Sequence, residues 1–192
     1  MEHAIFISEI EGLKHFNSSH FNRLYFGNEF SIDAMPQKDS IGKAIRWGKD
    51  NNIPISFVTP ALLTDDDLLE MSVLMESMPE GSEIIFNDWG LLKLIKERNH
   101  VPIHGRLLFW TRKDPRMKMD SKSIGYFRSN NLNHHYQNII KNLGIERVEF
   151  DNAKQGYSFM PIDGMGVSLY YPFVFCSMSR TESMPYSPND TF

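Results

Sequence analysis

Glu83-Ile-Ile-Phe-Asn-Asp-Trp-Gly-Leu-Leu-Lys-Leu-Ile-Lys-Glu97 is the stretch whose reading decides the fold of this 192-residue chain. The short apolar run at 84–86 reads as a strand, and it stops at the polar pair Asn87 and Asp88. Leu91, Leu92 and Ile95 then recur at helical spacing, with Lys and Glu between them. A short strand that ends in polar residues and passes straight into an amphipathic helix is the repeating unit of a parallel α/β sheet.

The same unit recurs on both sides. Upstream, residues 24–27 read as a strand end, and Ile41, Ala44, Ile45 and Gly48 line one face of a helix that Ser40 can cap. Residues 54–59 form the next strand, stopped by Pro60. Thr64-Asp-Asp-Asp67 opens a helix, because acidic side chains are favoured beside the free N–H groups of a first turn. Leu68, Met71, Met75 and Met78 continue that helix, and its methionines read as core filler. Downstream, residues 102–109 read as a fourth strand. Tyr136, Ile139, Ile140 and Leu143 form a helical stripe closed by Gly144, and residues 147–150 form a fifth strand ending at Asp151. A further strand is expected at 167–171 and a second short one at 173–176, before an irregular tail from about residue 181.

Strands alternating with helices predict parallel pairing through right-handed crossovers. The fold class expected is therefore α/β, in a single domain over 1–192. Two closures fit: an open doubly wound sheet, or an incomplete or reduced parallel β/α barrel related to a TIM barrel. A complete eight-stranded barrel takes about 250 residues, so a full barrel is not expected.

Composition narrows the functional classes. The net charge is −4, with both signs mixed along the chain, and no basic block marks a nucleic-acid footprint, although local Arg residues leave RNA binding open. No apolar run reaches the 18 residues expected of a membrane span, and the first residues lack the basic and apolar regions of a secretion signal. The one cysteine, Cys176, leaves no internal disulfide. The cytoplasm is the expected compartment.

Five strand ends collect polar residues: Asn28 and Glu29, Thr59, Asn87 and Asp88, His104 and Arg106, and Asp151. In a parallel fold these ends share one rim, where barrels and doubly wound sheets place their sites. His104 and Arg106, two apart on an expected strand, should face the same side. There they would pair a proton-transfer group with an anion-binding fork. His104 and Asp88 are the candidate catalytic residues. Asn28, Glu29, Asn87, Arg106, Arg112, Arg116 and Asp151 are the candidate ligand-binding residues, with the three arginines able to clamp a carboxylate or phosphate. Each has a structural alternative: Asp88 as a helix cap, His104 and Arg106 as a buried pair, Arg112 and Arg116 as a solvated loop. No spaced His or Cys set marks a metal site.

Residues 83–97 also resemble the third strand and helix of the peptidase U32 family, the collagenase-like proteases. Leu24-Tyr-Phe-Gly-Asn-Glu-Phe30, Pro102-Ile-His-Gly-Arg106, Leu143-Gly-Ile-Glu-Arg-Val-Glu-Phe150 and Val167-Ser-Leu-Tyr-Tyr-Pro-Phe-Val-Phe-Cys176 resemble further regions of that family in the same order. The resemblance implies a β/α-barrel-like fold and a relation to proteins of RNA or quinone hydroxylation pathways, many of which carry a four-cysteine iron–sulfur cluster. This chain departs from the pattern. A cluster takes about four protein ligands, and Cys176 stands alone, so an intrachain iron–sulfur cluster is not expected and the cofactor is open.

Two functions follow. The first is a U32-like protein binding a small polar or anionic ligand, an arrangement compatible with its hydrolysis, with His104 as base and Arg106 as clamp. The alternative is a non-catalytic partner subunit of an RNA- or quinone-modifying system, completing an open barrel edge as a homodimer or with a longer homologue. A deep rim cavity favours the first, and a filled rim with an apolar edge favours the second.

Overall fold

A computed structural model describes residues 1–62, 64–109, 134–151 and 164–172. Its core is one sheet of seven parallel strands: β1 (Ala4–Ile7), β2 (Arg23–Gly27), β3 (Ile55–Val58), β4 (Glu83–Phe86), β5 (Val101–His104), β6 (Arg147–Asp151) and β7 (Gly166–Tyr170). The helices are α1 (Lys38–Asn51), α2 (Asp65–Met75), α3 (Leu91–Glu97) and α4 (His134–Asn142).

Every strand pairs in parallel with its predecessor, in the order β1-β2-β3-β4-β5-β6-β7. A doubly wound sheet reverses its strand order at a switch point. Here the order never reverses, so that closure is set aside. The sheet also curls. In a flat sheet β2 and β6, four places apart, would lie about 19 Å from one another. Instead the Tyr25 hydroxyl of β2 donates to Glu149 Oε1 of β6 at 2.8 Å, and Arg23 of β2 and Arg147 of β6 both reach Glu83 of β4 at 2.9 Å. The result is a parallel half-barrel, which agrees with the reduced β/α barrel expected.

Strand alternation then sorts the side chains. Leu24, Phe26, Phe57, Ile84, Phe86, Val148 and Phe150 face the helices and join Ile41, Ala44, Met71, Met75, Leu91, Ile95 and Ile140 in the main core. The helix start read at Thr64-Asp-Asp-Asp67 holds, and Thr64 caps it: its hydroxyl accepts from the Asp67 amide while Asp67 accepts from the Thr64 amide, a reciprocal box that fixes the start of α2. Met71, Met75 and Met78 are buried as expected. Asn52 (φ 56°) and Gly144 (φ 65°) end α1 and the α4 unit in left-handed conformations.

Three expectations are corrected. The first helix begins at Lys38 with Gln37 as its cap, not at Ser40. A short strand, β1, precedes those anticipated; its four residues are all apolar, yet as an edge strand it buries only Ile7 fully. The fourth expected strand, 102–109, stops at His104, and residues Arg106–Leu108 form a 3-10 turn. The expected strand at 173–176 lies outside the described residues.

Candidate functional site

The strand ends do converge at the C-terminal mouth, and there they bind one another. Glycine makes the approach: Gly27 sits at φ 143°, and a Cβ on it would strike the Val58 carbonyl of the neighbouring strand. A Cβ on Gly105 would strike the Asn87 side-chain oxygen. Asn87 uses that closeness. Its Nδ2 donates to the Thr59 carbonyl at 2.8 Å and its Oδ1 accepts from the Leu107 amide at 3.2 Å, tying three loops together.

Arg106 occupies the middle of the mouth. Its Nε and Nη2 donate to Glu29 at 3.0 and 2.6 Å, and its Nη1 donates to Asp151 at 2.6 Å. The guanidinium carbon lies 4.0 Å from the centre of the Tyr170 ring. All three ionic groups are buried. A guanidinium engaged in this way is not a waiting anion clamp; its donors are already directed to protein carboxylates.

His104 is elsewhere. It lies on the helix-facing side of β5, packed against Phe86, Phe109 and Trp89, with Nε2 2.7 Å from the Tyr136 hydroxyl. The expected same-face pairing with Arg106 is therefore wrong. The period-two rule ends with the strand at His104, and the tight turn that follows swings Arg106 over the strand end into the mouth. Burial pushes the His104 imidazole down to about 3 and the Tyr136 phenol up to about 12.

The other rim residues act locally. Asp88 accepts from the Gly90 amide at 2.7 Å and the Leu62 amide at 3.2 Å, steadying the start of α3 and the loop after β3. It also lines a shallow cleft with Leu62, Thr64 and Leu68. Asn28 accepts from the amides of Phe30 and Ser31, a local turn. Arg112 and Arg116 lie outside the described residues.

The concave face of the half-barrel holds a second cluster that the reading of strand ends missed. Near the N-terminal ends of the strands, Glu83 accepts from Ser56, Arg23 and Arg147. Although burial opposes it, hydrogen bonds from Ser56 and Arg147 hold the Glu83 carboxyl below its usual range. Arg23 also forks onto Glu2 through two bonds of 2.9 and 3.0 Å. One layer higher, fully buried Glu149 meets the Tyr25 hydroxyl, with Ser168 3.4 Å from the same hydroxyl. Burial raises the Glu149 carboxyl to about 7, against the opposing pull of Tyr25 and Arg147. Burial likewise raises the phenols of Tyr25 and Tyr170, and the charge of Glu149 adds to it. Val58, Ile85 and Ile103 supply the apolar remainder of this face.

A cavity of about 530 Å³ opens between β1, β2, β6 and β7, lined among others by Phe6, Arg23, Tyr25, Arg147, Ser168 and Tyr170. The signal for it was present in Arg147-Val-Glu-Phe-Asp151. Its apolar residues alternate with charged ones, which places a charged row on the face away from the helices.

Among the described residues no cluster of His, Cys, Asp and Glu could hold a metal ion, and no helix is long and apolar enough to cross a membrane. A four-thiolate cluster does not fit a chain whose one cysteine is Cys176. Comparison with known proteins gives no match to a family model, to a curated protein or to a solved structure.

Proposed function

We propose that this chain is a small-ligand-binding protein built on a reduced TIM-type barrel, with its ligand seated on the concave face of the sheet. The observation that carries this reading is the 530 Å³ cavity beside a buried, proton-accepting Glu149 and two tyrosines. Concave sites with a few convergent polar groups and a perturbed carboxyl are where binding and chemistry concentrate. The sequential parallel strand order supports the barrel relation, and the ordered motifs quoted above support kinship with the peptidase U32 family. The proposal is of binding and does not include hydrolysis, since the imidazole expected to act as base faces the helices.

The test is an amide NMR titration of the full chain with benzamide, benzoate and benzylamine. Resonance shifts centred on β2, β6 and β7 are expected for at least one of them. Shifts confined to the loops around Asn28, Asn87 and Arg106, or none at all, would overturn the reading.

A second reading, a non-catalytic partner subunit, is favoured by one observation. The mouth is filled by its own ion pairs while Phe6, Val167, Leu169 and Tyr171, on or beside the two edge strands, stay exposed. Light scattering across a concentration series tests it: a monomer at every concentration removes the homodimer form of this reading.

A further inference from the structure

Three polar atoms on the concave face are buried without meeting a hydrogen-bond partner: Arg147 Nε, Glu149 Oε2 and the Tyr170 hydroxyl. The rest of the same groups is satisfied. Both terminal nitrogens of Arg147 donate to Glu83, and Glu149 Oε1 accepts from Tyr25. The Tyr170 hydroxyl faces Glu149 closely enough to act on its carboxyl as a hydrogen-bond donor, yet the two atoms do not reach full hydrogen-bond geometry. An unmet buried donor or acceptor costs about 1–3 kcal/mol, and native proteins tolerate few. Three on two adjacent strands, with Arg147 and Tyr170 lining the cavity, mark the place where a ligand atom belongs.

The chemistry of the three atoms selects the ligand. Arg147 Nε–H can only donate, the Tyr170 hydroxyl can donate, and Glu149 donates when it carries a proton. Together they call for an oxygen acceptor. Within the floor of the face, Arg23 and Arg147 are balanced by Glu2 and Glu83, so a protonated Glu149 leaves the floor neutral and an ionised one leaves it with one negative charge in excess, next to a mouth where one Arg106 meets both Glu29 and Asp151. Phe6, Tyr25 and Tyr170 offer ring surfaces, with Tyr25 and Tyr170 6.3 Å apart and tilted.

We propose that the cavity takes a flat ligand through its carboxylate, seated on Arg147 Nε–H and the Tyr170 hydroxyl, with Glu149 protonated whenever the ligand is bound. This rests on the concave-face binding reading above. The groups that face Glu149 are Tyr25 from β2, Glu29 from the loop after β2, Arg147 from its own strand and Tyr170 with Ser168 from β7. Glu83 and Arg23 stand behind Arg147. A bound carboxylate adds a negative charge next to Glu149 and stabilises its neutral form further. Binding is therefore coupled to proton uptake. If only the protonated form binds, affinity should fall on the order of tenfold between pH 6 and pH 8.

The experiment titrates the full chain with benzoate and with benzamide at pH 6 and pH 8, by calorimetry in buffers of different ionisation heat. Benzoate should bind more tightly at pH 6, and near and above neutral pH it should take up a proton as it binds. Glu149→Gln, which mimics the neutral carboxyl, should still bind benzoate and should lose the pH dependence. Benzoate affinity that is flat with pH, or a pH dependence that survives in Glu149→Gln, would overturn the inference. Benzamide binding on β2, β6 and β7 without benzoate binding would sink the carboxylate assignment and leave the binding site standing. Failure of both probes to reach that face would remove both.

Discussion

The two faces of this sheet bury opposite chemistries. On the helix side, seven strand residues from Leu24 to Phe150 pack against helix residues, and one polar intruder, His104, sits in an aromatic cluster with a single hydroxyl for company. On the concave side, Arg23, Glu83, Arg147 and Glu149 form a charged floor, and Arg106 with Glu29 and Asp151 forms a charged mouth. The first face gains from removing apolar surface from water. The second gives up that gain, and buried ion pairs are seldom more stable than apolar packing of the same shape. A fold that accepts this on both sides of the apolar patch of Val58, Ile85 and Ile103 is keeping the polar groups for another reason, and a carboxyl held near neutral pH beside a cavity is such a reason.

The contrast can be broken most forcefully at the mouth. Arg106→Ala leaves Glu29 and Asp151 buried with their shared cation gone, and should cost about 3–5 kcal/mol of unfolding free energy in a denaturant titration. A loss below about 1 kcal/mol, the range of exposed pairs, would mean the cluster is solvated. Next comes Glu149. Its carboxyl is raised in the folded state, so between 4.5 and about 7 the folded chain holds a proton that the unfolded chain releases. Stability therefore falls as pH rises through that window and is flat above it. Glu149→Gln removes the loss and should be more stable than the parent by up to roughly 3 kcal/mol at pH 8, with the difference vanishing toward pH 4.5.

His104 should show the mirror image. Its imidazole is lowered to about 3, so below 6.5 the unfolded chain takes a proton that the folded chain refuses. Stability is lost as pH falls from 6.5, by about 2 kcal/mol at pH 5, and His104→Gln should flatten that acid limb. The smallest effect belongs to a helix start on the outer layer: Thr64→Ala opens the reciprocal cap of α2 and should lower stability by about 1 kcal/mol in thermal unfolding.

Much of the outer layer was legible from the chain alone, because its signals are local. Leu91, Leu92 and Ile95 declare a helix within five residues, and Thr64 declares a helix start within four. The mouth was half legible. Glu29, Arg106 and Asp151 could be placed at one rim, but they are separated by 77 and 45 positions from one another through Arg106, and no spacing rule says that they pair. His104 was misplaced because the alternation of a strand was extended past the residue where the strand ends. The concave floor was least legible. Tyr25 and Glu149 lie within strands and Glu83 and Arg147 open theirs, all away from the C-terminal tips, and only the curl of the sheet brings them together. That curl is a property of strand order and register.

The most direct test is the ionisation of Glu149 itself. Carbon-detected NMR of its side-chain carboxyl, followed from pH 4 to pH 9 in the intact chain, should give a midpoint near 7 that moves upward when benzoate is added. A midpoint near 4.5, unmoved by the probe, would contradict a buried, proton-holding carboxyl on the concave face.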